Sequence, residues 1–317
     1  MAGDDVSRDL CTELGWLART VGVAAVDDEI LLAITGDDAR SWIHGMVTND
    51  LRPLDARDGA IETAVVGVKG KLLAVAWVYA RGEARWMAVP RETADALREF
   101  FDRYIVMEDV TVAACEELRI TSVRGPMASD VVAAAGLSDA AFANDRSGVS
   151  GTDVFLDAAS YETSMARLVE AARSAGGGRV SDEALEIARV RAGRGRWGRD
   201  IDGTLYPQEA GLVPRAVSFQ KGCYVGQEVV CTLEMRGHVK RISTRVRFEG
   251  TEAPARGDEI WRDGVDDDPI GRVTSVVSSP TDDALLALGI LKRNAVEAGV
   301  RVHTTSGVRG EVLGPAS

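Results

Sequence analysis

Phe219-Gln220-Lys221-Gly222-Cys223-Tyr224-Val225-Gly226-Gln227-Glu228 is the stretch on which the reading of this 317-residue chain turns. Gly222 and Gly226 bracket a cysteine and a tyrosine. Glycine permits backbone φ above zero, so the segment is able to turn sharply and approach a ligand closely. Lys221 stands two residues before Cys223 and supplies a positive charge that favours the thiolate, the nucleophilic and oxidisable form of a partly exposed cysteine. Gln227 and Glu228 are placed to hydrogen-bond the loop back onto itself. By residue chemistry alone, a single cysteine in such a loop is more often structural than catalytic. No histidine lies close enough in sequence to suggest a cysteine–histidine nucleophile.

On the N-terminal side, apolar residues at Val6, Leu10, Leu14 and Leu17 have helical spacing, and Glu29–Thr35 reads as a strand. Asp37 and Asp38 are placed to cap a helix running to about Val47. The apolar runs 61–68, 72–80 and 85–89, with a tight turn at Lys69-Gly70-Lys71, predict an antiparallel meander. Helical period returns over 91–104. Strands are then expected at 110–114, 118–123 and 148–156, and helices at 126–135 and 161–172. Gly176-Gly177-Gly178 is the strongest break, Ser181 opens another helix to about Ala192, and the approach to Lys221 reads mostly as loop.

Beyond Arg241 six short runs (242–248, 259–261, 270–277, 284–291, 300–304, 307–313) alternate with turn residues, the pattern of a small β-barrel or sandwich. The chain is therefore expected to be α+β with a C-terminal β-domain.

Composition narrows the function. Net charge is −12, from 49 acids against 37 bases, which argues against general affinity for nucleic acid or anionic membranes. No run of 18 apolar residues exists to span a bilayer, and the acidic start Met1-Ala2-Gly3-Asp4-Asp5 lacks a signal-peptide layout. Cys11, Cys115, Cys223 and Cys231 form no C-x-x-C pair, so free thiols in a reducing cytoplasm are expected. Cys231 reads as a packed strand residue. His44, His238 and His303 are too scattered for a zinc site, and no permanently bound metal is expected. His44 reads as structural, while His238 lies near the signature. Trp16, Trp42 and Trp77 read as core, and Asp266-Asp267-Asp268 as a solvated turn.

Lys221-Gly222-Cys223-Tyr224-x-Gly226-Gln227-Glu228 resembles the signature of the YgfZ-type folate-binding protein family, a branch of the superfamily containing the glycine-cleavage T-protein, an aminomethyltransferase. Further matches run in the family's order. They are Ile34-Thr35-Gly36-Asp37-Asp38-Ala39 with Thr48-Asn49-Asp50, Lys69-Gly70-Lys71, the passage Arg194–Leu212, and Gly271-Arg272-Val273-Thr274-Ser275. The resemblance implies a ring of three domains: 1–35 with 113–197, 36–112 with 198–240 carrying the signature, and a β-barrel over 241–317.

It also implies tetrahydrofolate or a folate derivative as ligand, and support of iron–sulfur cluster assembly or repair, and thereby of tRNA modification. The partners would be iron–sulfur proteins or assembly factors, with neither tRNA nor membrane contacted directly. Cys223 would be the essential thiol beside the folate cleft, tuned by Lys221. Trp86, Arg189 and Arg236 would contact the ligand.

Departures from the pattern are specific. Where T-proteins carry the aspartate pair of their one-carbon chemistry, this chain has Leu73-Ala74. Val149 and Leu156 replace a tyrosine and a pterin-reading glutamate. A folate-dependent one-carbon transferase or demethylase is thus the second reading, and a folate-binding scaffold with a structural Cys223 the third. Two basic clusters, Arg189 to Arg199 and Arg236 to Arg247, read either as a groove for an anion or as arginines answering nearby acids.

Overall fold

The computed structural model describes residues 2–237, 239–265, 268–281 and 284–316. Its strands run in chain order as β1 (Gly22–Ala25), β2 (Glu29–Thr35), β3 (Gly59–Val66), β4 (Leu72–Arg81), β5 (Ala84–Pro90), β6 (Thr111–Cys115), β7 (Leu118–Arg124), β8 (Ala141–Asn144), β9 (Gly151–Asp157) and β10 (Gly178–Arg179). The last six are β11 (Arg241–Phe248), β12 (Glu259–Arg262), β13 (Gly271–Ser279), β14 (Ala284–Lys292), β15 (Arg301–Thr304) and β16 (Arg309–Pro315). They form a five-stranded sheet β10-β1-β7-β9-β8, a second sheet β3-β4-β5-β2-β6, and a closed barrel β11-β14-β13-β12-β15-β16. The expected class, α+β with a C-terminal barrel, is what the chain adopts.

Each sheet buries one face under helices. Leu97 and Phe101 of the helix Ala94–Asp102 pack with Trp42, Ile43 and Met46 of Ala39–Met46 against Leu32, Val65, Val78 and Met87 of the second sheet. Under the first sheet, Tyr161, Met165 and Leu168 of Tyr161–Ser174 meet Val131 and Val132 of Ala128–Ala134 over Val23, Val123, Val154 and Leu156. The opposite faces pack on each other through Leu31, Trp77, Tyr79, Phe142 and Phe155. Strand alternation sends odd and even residues to these two cores.

Several differences from the sequence reading have a local cause. Strand 29–35, which the resemblance placed in the first unit, is hydrogen-bonded between β5 and β6 of the second sheet, and β6 spans the implied 112/113 boundary. Periodicity marks a strand but not its partner. The triple glycine closes into structure: Gly178 pairs with Gly22, and a Cβ on Gly177 would lie 2.0 Å from the Val21 carbonyl oxygen. Gln227–Arg236 is a helix, so Cys231, read as a strand residue, lies half-buried on a helix instead. Asp266 and Asp267 fall outside the described residues.

Candidate functional site

The signature loop is fixed from both ends. Lys221 is 6% exposed, and its Nζ donates to the carbonyls of His44 (2.5 Å), Val47 (2.6 Å) and Asn49 (2.9 Å). An ammonium has three donors, and all three serve to close the C-terminal end of the Ala39–Met46 helix. Burial lowers its pKa to about 8. The lysine thus bolts the loop to the fold, and its protons are not directed at the thiol. Val225 N–H donates to Gly45 O at 3.2 Å, and Ser218 N–H to Thr48 O at 3.0 Å.

Between these anchors Cys223 is exposed. Tyr224 turns inward, its ring 5.1 Å from Lys221 Nζ, and its hydroxyl finds no partner among the described residues. Burial, with a smaller contribution from Cys231, pushes that phenol well up. Gly226 has φ +79° at the start of the Gln227–Arg236 helix, and a Cβ there would lie 2.4 Å from Gly67 O. Both conditions require glycine. Gly222 differs from expectation, having no positive φ and open space around it. Gln227 and Glu228 do not tie the loop through their side chains, which have no partner among the described residues; the Gln227 N–H does so instead, to Tyr224 O at 3.2 Å.

A separate cleft of about 740 Å³ opens where the two sheets meet the helix Asp182–Arg191 and the loop after it. Such a volume suits a small organic ligand. Trp77 and Trp197 supply aromatic surface, and acids alternate with arginines around the wall. Both oxygens of Glu62 are taken, one by Arg194 at 3.0 Å and the other by Arg215 at 2.9 Å. Arg194 also reaches Asp145 at 2.5 Å. Glu186 accepts from the Nε and one terminal nitrogen of Arg189 and has a contact from Arg199 at 3.1 Å, so these cations hold its carboxyl below the usual range despite the opposing effect of burial.

Behind the wall, buried Asp153 accepts from Arg124, Tyr79 and Arg146, and Arg146 continues to Glu29 at 2.5 Å. Burial raises the Glu29 carboxyl, against the pull of Arg146. Ser147, φ +58°, is the one described non-glycine residue with a positive φ, and it too lines the cleft.

The residues singled out by sequence separate on this frame. Cys223, Trp86 and Arg236 are not among those lining the cleft. Trp86 packs edge-on against Phe155, ring centroids 5.6 Å apart, inside the core between the sheets; Trp77 is in that core as expected and also borders the cleft, with Trp197. Arg236 is exposed at the far end of the signature helix.

Arg189 does line the cleft, but its fork is filled by Glu186, by Asp200 at 2.7 Å, by Arg194 O and by Ser275, so it joins the helix to the barrel. Loop and cleft sit at different points along β3: Gly226 abuts its end at Val66 and Gly67, while Glu62, in mid-strand, lines the cleft four residues earlier. That length of strand is about 13 Å.

Leu73 and Ala74 bring no carboxylate, Ala74 being fully buried in the core of the second sheet. Leu156 packs under the helices of the first sheet. His44 accepts from Leu51 N–H at 3.3 Å, and burial lowers its pKa. His238 lies outside the described residues. No group of three histidine, cysteine, aspartate or glutamate side chains among the described residues is arranged to hold a metal ion. No described helix is long and apolar enough to cross a membrane. The first basic cluster is largely answered by acids: Arg189, Arg194, Arg196 and Arg199 all have carboxylate partners.

No family model matches the chain. It is similar to the tRNA-modifying protein YgfZ of Cronobacter sakazakii, 26% identical over 306 residues, covering 89% of this chain and 88% of that protein. The YgfZ of Yersinia enterocolitica is 28% identical over 250 residues (76% and 75%), and that of Klebsiella pneumoniae 27% over 291 (86% and 85%). The crystal structure of glycine cleavage system aminomethyltransferase T from Bartonella henselae superposes with a TM-score of 0.83 at 19% identity, covering 96% of this chain and 88% of that one. The resemblance read from the signature holds across the chain: this protein is a relative of the YgfZ proteins, built on the aminomethyltransferase T fold.

Proposed function

We propose that the chain is a folate-binding accessory protein that supports iron–sulfur cluster assembly or repair, and through it tRNA modification, using the Cys223 thiol. The observation that carries this reading is the presentation of that thiol. Cys223 is exposed on a loop that Lys221 and Gly226 hold rigid, in a chain similar along most of its length to tRNA-modifying proteins. A rigid exposed thiol outside the cleft's lining suits a protein partner. Iron–sulfur clusters want about four thiolates, so one cysteine contacts a cluster only together with a partner's ligands.

The folate belongs in the cleft. Its size suits a bicyclic ring with a tail, the part-exposed Trp197 offers aromatic surface, and Glu29 retains acceptor capacity that a pterin can use. Bound there, folate supplies a one-carbon carrier or a redox-sensitive ring; the chain's own residues bind and orient it. With Leu73-Ala74 in place of two aspartates, we read the folate as a ligand of an accessory protein and not as the acceptor of an aminomethyl group.

The test is complementation. In cells lacking this protein, wild type is expected to restore methylthiolated tRNA, and Cys223→Ser to leave it near the level of the deletion. Full restoration by Cys223→Ser would overturn the role given to the thiol.

A further inference from the structure

Eight carboxylates line the cleft, and their pairing separates them. Arginines answer Asp27, Asp28, Glu62, Asp145 and Glu186. Glu92 and Asp182 are exposed to water. Glu29 differs from all of these. Its Oε1 is bound to Arg146 NH1 at 2.5 Å, whereas Oε2 is covered and has no partner among the described residues. An ionised carboxylate accepts about four hydrogen bonds, and a covered oxygen with none is a vacancy that a ligand's donors fill.

The sheet register places this carboxylate beside the indole. Leu31 and Trp77 both stand opposite Ala88, on either side of β5, and Glu29 is two residues from Leu31. Alternate residues of a strand share a face, so Glu29 and Trp77 rise from one face of the second sheet. Two strand spacings and one two-residue step put their Cα atoms about 12 Å apart, and Arg146, which holds Glu29, lies over the indole ring 5.8 Å from its centroid.

We infer that Glu29 reads the donor edge of a 2-amino-4-oxo pyrimidine ring, its ring N–H and exocyclic amino group. The inference rests on the folate reading for the source of that ring, since the pterin of a folate carries this edge; guanine presents it too. It supplies from β2 the carboxylate that position 156 lacks.

Calorimetric titration of the intact protein with tetrahydrofolate, its 2-desamino analogue and guanosine tests it, on wild type, Glu29→Gln and Glu29→Asp. Glutamine keeps an acceptor for Arg146 but sets an amide donor against the ligand's donors. Losing charge-assisted hydrogen bonds predicts about 10- to 100-fold weaker tetrahydrofolate binding by Glu29→Gln, with partial recovery in Glu29→Asp. Wild type is expected to discriminate against the 2-desamino analogue and Glu29→Gln to lose that discrimination, which a purely structural glutamate would not produce.

If Glu29→Gln does not fold, the analogue's effect on wild type decides alone. Binding of guanosine in place of tetrahydrofolate, with the same Glu29 dependence, upholds the inference and overturns the folate reading. Equal tetrahydrofolate affinity in wild type and folded Glu29→Gln, or no discrimination by wild type, overturns the inference and leaves the folate reading standing. Binding of neither ligand by wild type overturns both.

Discussion

Within the signature loop, two glycines four residues apart do different work. Gly226 is confined by its left-handed φ and by Gly67 O, so Gly226→Ala is expected to cost about 2 kcal/mol or more in urea unfolding. Gly222 has neither constraint, and Gly222→Ala is expected to stay within about 0.5 kcal/mol of wild type. Lys221 gives a pH signature. Its pKa is lowered by burial to about 8, so between that value and its ordinary 10.5 the unfolded chain binds more protons than the folded one. Stability then rises with pH across this window. Measured against Lys221→Met, wild type is expected to gain stability from pH 8 to pH 10.5; a flat difference would show that this lysine keeps its ordinary pKa. The sequence drew attention to these residues, but a lysine two positions from a cysteine looks the same whether it faces the thiol or three carbonyls.

Elements with strong periodicity were legible. All six barrel strands stand where alternation and turn residues put them, within two residues at most ends. The meander β3-β4-β5 is present as read. What escaped was short or weakly patterned: four-residue β8, two-residue β10, and the helix Gln227–Arg236, of which only Val230 is buried, so its sequence carries little amphipathic signal. The cleft wall was hidden for another reason, because its ion pairs join distant positions. Glu62 and Arg194 are 132 residues apart. A sequence clue did exist: Glu62 is the single acid of β3 and Asp153 the one interior acid of β9, both among apolar residues, where a charge is tolerated only when paired. Glu62→Leu removes the shared partner of Arg194 and Arg215, both little exposed, and is expected to cost about 3 kcal/mol by chemical denaturation.

At the scale of the molecule, buried polar bolts connect the two sheets and the barrel. Asp200 accepts from Arg189 at 2.7 Å and from Thr274 of β13 at 2.5 Å, and Glu209 holds Lys71 of the hairpin and Arg241 of β11. Asp200→Ala leaves Arg189 buried with one of its two carboxylate partners gone, and a loss of about 3–5 kcal/mol is expected, read as an earlier thermal transition. The same architecture keeps the thiol and the cleft apart: β3 meets the cleft at mid-strand Glu62 and the signature loop at its end. A ligand in the cleft is therefore expected to leave Cys223 open to a partner protein.

Hydrogen–deuterium exchange with and without tetrahydrofolate measures this division most directly. The account predicts slowed exchange over 26–29, 145–148 and 194–197 around the cleft, with 219–226 unchanged. Protection confined to the signature loop, or no protection anywhere at saturating ligand, would contradict it.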